Sequence, residues 1–156
     1  MLLLLLLFTL AKATPFTKCD NNSSVQSVDV EGCPDGSEWC ELTQGKKYRV
    51  TINFVSNADS NTLTATGSAT GHGGQIALIG LDSNACDDNN IQCPIKKGQS
   101  YSYSLTVIIY HGYPLLESTV TFRLHDDKNN DVICGKLPVK VVTVLTCKLC
   151  LGKNLF

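Results

Sequence analysis

Eight cysteines follow an apolar leader in this chain, and that pairing restricts the fold more than any other feature. Residues 2–7 are an unbroken run of leucine, extended by Phe8, Thr9 and Leu10 and closed by Ala11-Lys12-Ala13. A short apolar core ending in an A-x-A site, with small side chains where signal peptidase needs them, reads as a cleaved secretory leader over residues 1–13. The run is far too short to span a bilayer. Export would place the remainder in an oxidising compartment, where eight cysteines form a disulfide framework rather than a set of thiols. The expected destination is the extracellular fluid, with the lysosomal lumen as the alternative.

Eight cysteines allow on the order of 100 pairings, so spacing alone proves none. Cys33 and Cys40 lie close together around Pro34-Asp35-Gly36, and Cys86 and Cys93 around Asp87-Asp88-Asn89-Asn90. In such turn-rich segments local closure is the simplest expectation. Cys147 and Cys150 make a third close pair, which leaves Cys19 to join Cys134. Closing that long loop would remove on the order of 4–5 kcal/mol of denatured-state entropy by the chain-entropy argument.

The 13 Lys and Arg against 14 Asp and Glu give a net charge of −1. No basic stripe interrupts this balance, which argues against a nucleic-acid partner. The length after the leader suffices for one domain with its own core, assigned to residues 14–145. No second long apolar segment follows, so a soluble monomer is expected.

Period-two alternation dominates. Tyr48, Val50, Ile52 and Phe54 alternate with Arg49, Thr51 and Asn53. Tyr101, Tyr103, Leu105, Val107 and Ile109 form a second apolar set, and Val120, Phe122 and Leu124 a third. Each run reads as a strand with one buried face. Weaker strand candidates are Val25–Val30, 62–70, 75–81 and 139–145, with Gly, Asn, Asp and Pro clusters between them. Helical periodicity is absent. About seven strands in one disulfide-linked domain predict an all-β, immunoglobulin-like sandwich of two sheets.

The 62–70 segment stands apart. Leu63, Ala65, Gly67 and Ala69 share one face, and Thr62, Thr64, Thr66, Ser68 and Thr70 the other. If the first set points inward, most of it is too small to fill the gap between sheets about 10 Å apart. Two readings stand open: close packing against Phe54 or Phe122, or an apolar cavity that in a secreted carrier would hold a lipid.

The stretch Cys93-Pro94-Ile95-Lys96-Lys97-Gly98, with Tyr101-Ser102-Tyr103 after it, is distinctive. Tyr113-Pro114, Asp126-Asp127-Lys128-Asn129, Cys134 and Leu137-Pro138-Val139 follow in order. This pattern resembles the ML lipid-recognition family, especially its Niemann-Pick type C2 sterol-transfer branch. The lead-in Gly80-Leu81-Asp82-Ser83-Asn84-Ala85-Cys86 is similar to arthropod members, including mite group 2 allergens.

The resemblance implies bridges Cys19–Cys134, Cys33–Cys40 and Cys86–Cys93. It also implies a lipid held between the sheets, with no cofactor and no covalent chemistry. Carried across by position, the lipid-contacting residues are Leu78, Ile109, the Tyr113-Pro114 pair at the mouth, and Phe122. The expected wall also takes in Phe54 and Val107. Two positions depart from the sterol-binding branch. Residues 71–78 replace a proline-rich segment, and Gly135 stands where an aromatic follows Cys134. Arthropod relatives include carriers of fatty acids, so the expected ligand is a sterol or a fatty-acid-like lipid. A carrier is the first reading. A lipid-sensing immune or chemosensory protein that presents its ligand to a receptor is the second, and transient membrane or receptor contact would serve either.

An enzyme is the competing class. Gly71-His72-Gly73-Gly74 is similar to the His-Gly-Gly oxyanion loop of lipases, but no G-x-S-x-G elbow exists and His72, His111 and His125 lack a nucleophile at a recognisable spacing. A glycine turn explains the motif, and His111 and His125 read as surface loop residues. No catalytic residue is assigned. The single Cys147-x-x-Cys150 lacks a second ligand pair for zinc and a thioredoxin-like setting for redox work, so a local disulfide is expected. Trp39 reads as packed on its neighbouring bridge. Asn21 and Asn22 begin overlapping sequons in Asn21-Asn22-Ser23-Ser24, where crowding admits one glycan. Residues 146–156 are expected to form an accessory tail outside the lipid site, packed back on the sandwich, with contact to a membrane during transfer as the alternative.

Overall fold

The computed structural model describes residues 14–20, 24–33, 36–86 and 91–145. The leader at 1–13, the sequons at Asn21 and Asn22, and the Cys147–Cys150 pair with its tail lie outside them. Nine strands and no helix make up the described residues: β1 (Thr17–Lys18), β2 (Val25–Val30), β3 (Cys40–Thr43), β4 (Lys47–Val55), β5 (Thr64–Gly71), β6 (Gly74–Ala77), β7 (Ser100–Ile108), β8 (Glu117–His125) and β9 (Asp131–Val142).

They form the expected two-sheet, all-β arrangement. One sheet runs β1-β9-β8-β5-β6, with β3 also paired to β9; the other runs β2-β4-β7. All pairings are antiparallel except β3 on β9. The β-branched and aromatic runs settle here because their alternate side chains fill a shared interior. Ile52, Phe54, Tyr103, Phe122, Leu124 and Ile133 are all buried.

Several boundaries differ from expectation, each for a physical reason. β9 starts at Asp131 rather than near 139, because its pairing with β8 carries it through Gly135 and Pro138, residues that read as breakers in isolation. β1 and β3 are too short to show any period, and their partner β9 defines them. β6 ends at Ala77, where the chain leaves for the turn at Ile79-Gly80. The glycine motif 71–74 is the β5–β6 hairpin: Gly71 pairs with Gly74, which sits at φ 108° as a side chain rarely allows. His125 is not a loop residue. It closes β8, and its Nδ1 lies 2.9 Å from Asp131, at ion-pair distance though not aligned as a hydrogen bond.

Disulfides join Cys19 to Cys134, Cys33 to Cys40 and Cys86 to Cys93, with Cα separations of 5.4, 5.2 and 5.6 Å. The first continues the β1–β9 pairing, since Cys19 N–H donates to the Cys134 carbonyl at 3.2 Å.

One end of the sandwich is stitched shut. Ser60 and Ile95 exchange backbone hydrogen bonds of 3.1 and 2.8 Å, and Lys97 N–H donates to Asp59 at 2.9 Å. The Asp126 carboxylate accepts from the N–H groups of Lys128 (2.9 Å) and Asn130 (2.7 Å). Burial alone would raise its pKa, but these donors and the Lys128 charge hold it below the ordinary carboxylate value. Phe54, Leu63, Ile91 and Ile95 fill this end completely. The opposite end is where the packing loosens.

Candidate functional site

A cavity of about 160 Å³ lies between the sheets toward the loosely packed end. The three-stranded sheet supplies Val28 and Val30 from β2, Val50 and Ile52 from β4, and Leu105 and Val107 from β7. The facing sheet supplies Ala69 from β5, Val120 and Phe122 from β8, and Gly135, Leu137 and Val139 from β9. The cavity exists because the second list mixes small with large side chains. Ala69 and Gly135 cannot reach across a gap set by Phe122 and Leu137. The two readings left open for 62–70 therefore divide along one strand: Leu63 and Ala65 are packed core, and Ala69 faces the cavity.

The wall is nearly all carbon, and its polar groups are already satisfied. Tyr48 presents its ring while its hydroxyl accepts from Thr43 N–H at 2.8 Å. Ser118 donates to the Thr70 carbonyl at 2.7 Å. Lys136, largely exposed, is the one ionisable residue with a positive charge on the boundary. An apolar guest would meet no unpaired polar group in such a wall, so its burial carries no added desolvation cost.

The mouth lies between the loop that follows β7 and the segment that follows β6. Gln44 holds the first by donating from Nε2 to the carbonyls of His111 (3.0 Å) and Tyr113 (2.6 Å). Across the mouth, the Tyr113 hydroxyl accepts from Ile79 N–H at 3.3 Å. The rim is apolar and wet: Ile76, Ile79 and Leu115 are 56%, 65% and 55% exposed.

Of the expected wall residues, Leu78, Val107, Ile109, Tyr113, Pro114 and Phe122 border the cavity. Phe54 does not. It is fully buried at the closed end, its ring 5.8 Å from that of Tyr101. Alternation places Phe54 on the inner face correctly, but it lies one pleat beyond Ile52, where the cavity stops. Phe16, Leu42, Val25 and Leu116 border the cavity without having been singled out. The inner-face parity of Val25 was available as a signal. Nothing in the local sequence marks Phe16, which reaches the site because β1 pairs with β9.

A Thr66–His125–Asp131 chain occupies the outer face of the larger sheet, with Thr66 Oγ1 2.9 Å from His125 Nε2. Thr66 sits on a regular strand bonded along both edges, so among the described residues no group of backbone donors converges on its hydroxyl as an oxyanion would require. Beneath the cavity floor, Tyr103 stacks on Phe122 with ring centroids 5.5 Å apart. Burial, with a smaller contribution from the Asp82 charge, pushes its pKa up to about 12.

Comparison with known proteins agrees with this architecture. NPC intracellular cholesterol transporter 2 of Mus musculus is 31% identical over 145 residues, spanning 91% of this chain and 95% of that protein. Mite group 2 allergen Pso o 2 of Psoroptes ovis is 33% identical over 117 residues, 72% of this chain and 76% of the allergen. A Niemann-Pick type C2 protein from the Japanese carpenter ant superposes with a TM-score of 0.75 at 18% identity, over 82% of this chain and 99% of the ant chain, which places the fold among immunoglobulin-like sandwiches. Residues 13–141 match the ML domain profile, and with these relatives the chain belongs to the ML domain family.

Proposed function

We propose that this protein is a secreted carrier that takes a sterol or fatty-acid-like lipid into the inter-sheet cavity without covalent chemistry and hands it on. The observation that carries the reading is the carbon wall between the sheets, with every flanking tyrosine and serine hydroxyl turned to backbone. The names of the relatives, which include cholesterol transporters, support it.

Magnitudes are consistent. A lipid that buries about 300 Å² of apolar surface gains about 7 kcal/mol at about 25 cal/mol per Å², before association and ordering costs. A cavity of about 160 Å³ suits a guest of roughly benzene size. A whole lipid therefore requires the sheets to part, and the mouth is where they are least tied. Release is then governed by opening of the mouth rather than by loss of a polar anchor. The apolar rim of Ile76, Ile79 and Leu115 would contact a bilayer or a receptor during transfer.

Displacement of a fluorescent hydrophobic probe by cholesterol and by oleate tests the proposal. Displacement by at least one, at micromolar concentration or below, is expected. If neither lipid competes, and lipid extraction of protein from its native source yields nothing, the carrier reading fails.

A further inference from the structure

Across the larger sheet, one row of inward-facing residues reads Gly67, Phe122, Gly135: Gly67 on β5 and Gly135 on β9 are both register partners of Phe122 on β8. The two glycines have different surroundings. A Cβ added to Gly67 would meet Leu78 Cδ1 at 2.6 Å and Leu81 Cδ2 at 3.3 Å, so the protein's own side chains occupy that flank of Phe122. A Cβ added to Gly135 would meet nothing within 4 Å, and Gly135 borders the cavity. Its backbone does not require glycine, since it is not among the residues with positive φ. Glycine inside a strand weakens it and commonly marks a place where a ligand comes close to the backbone. Here it keeps one flank of an aromatic side chain open, in the middle of an apolar wall.

We infer that Gly135 is a specificity-determining position: it is the seat on which the widest apolar part of the ligand rests, edge-on to Phe122 and between Ile133 and Leu137. The inference rests on the carrier reading and adds where in the cavity the ligand's bulk lies. The lining takes in all three strands of the smaller sheet and β5, β8 and β9 of the larger one, with β3 and β6 at its margins, so the cavity is a slab at least two strand spacings, or roughly 10 Å, wide rather than a narrow tube. A side chain at position 135 would narrow that slab on the β9 side while leaving a slender path past Ala69 on the β5 side. Wide ligands should suffer from it more than slender ones.

Gly135→Leu and Gly135→Ala, made in the full chain, test this with two readouts of opposite sign. Filling an open apolar space should raise the thermal midpoint of the ligand-free protein. The same change should weaken cholesterol binding at least tenfold for leucine and a few-fold for alanine, with oleate weakened no more than about threefold. Gly73→Leu is the control, because a Cβ there also meets nothing within 4 Å and it lies at the exposed turn of the β5–β6 hairpin, outside the cavity lining. It should leave both affinities unchanged. A folded Gly135→Leu protein that binds cholesterol as the wild type does would place the seat elsewhere. Equal losses for the two lipids would overturn discrimination by width. Should Gly135→Leu fail to fold, an unchanged cholesterol affinity in Gly135→Ala would count against the seat in the same way. A wild type that binds neither lipid overturns the carrier reading itself, and the two failures are thereby distinguishable.

Discussion

Replacing Tyr103 with phenylalanine should make this protein more stable. Tyr103 is fully buried, and its hydroxyl has no hydrogen-bond partner among the described residues. The substitution keeps the ring, and with it the stacking on Phe122, and deletes only the oxygen. An unpaired buried polar group costs about 1–3 kcal/mol, so Tyr103→Phe should gain about 1–2 kcal/mol and raise the thermal midpoint by roughly 2–8 °C. The phenol adds a second signature. Its folded pKa, pushed up to about 12 from 10.0, lies above the unfolded one. The native state is therefore favoured by the protonated phenol below pH 10, and that contribution is lost as pH rises toward the folded value. The advantage of the variant should be flat below about pH 10 and widen by roughly 2–3 kcal/mol by about pH 12. Urea unfolding of both proteins across that range measures it. A variant less stable than wild type by 1 kcal/mol or more would show that the hydroxyl has a partner, and a pH-independent gap would show that the phenol titrates normally.

Ile109→Asp should abolish lipid binding, because an unpaired carboxylate would border an apolar cavity where Ile109 is only 3% exposed; a folded variant with unchanged affinity would place the lipid elsewhere. Tyr113→Phe removes the hydrogen bond to Ile79 across the mouth, and loss of about 0.5–1.5 kcal/mol there should speed lipid release roughly 2- to 10-fold with little change in folding stability, as followed by transfer to acceptor vesicles. Asp126, whose folded pKa is held below the ordinary value of 3.8, stabilises its turn at all higher pH and loses that contribution as pH falls through the folded value. The stability gap between wild type and Asp126→Asn should therefore be constant from about pH 7 to about pH 5 and shrink below about pH 4, so a gap that closes by pH 5 would refute the assignment.

The amino-acid order alone determined the class of fold and most of its interior. Alternation at Tyr48–Val50–Ile52 and at Tyr103–Leu105–Val107 is a local property, because neighbouring side chains on any strand point to opposite faces. Close spacing of Cys33 with Cys40 and of Cys86 with Cys93 made their pairing legible, and with Cys147 set against Cys150 as a third close pair, Cys19 was left for Cys134. Tertiary structure alone decided depth. Phe54 and Ile52 share a face and a strand, yet only Ile52 borders the cavity, because what faces each of them comes from the opposite sheet. Phe16 joined the site through a two-residue strand too short to carry a pattern, and Gly135, a strand breaker by composition, became part of the wall because β8 and β1 hold it in register on either side. A cavity is the volume left where small residues from separate strands come to face one another, and that coincidence is a property of register rather than of any one segment.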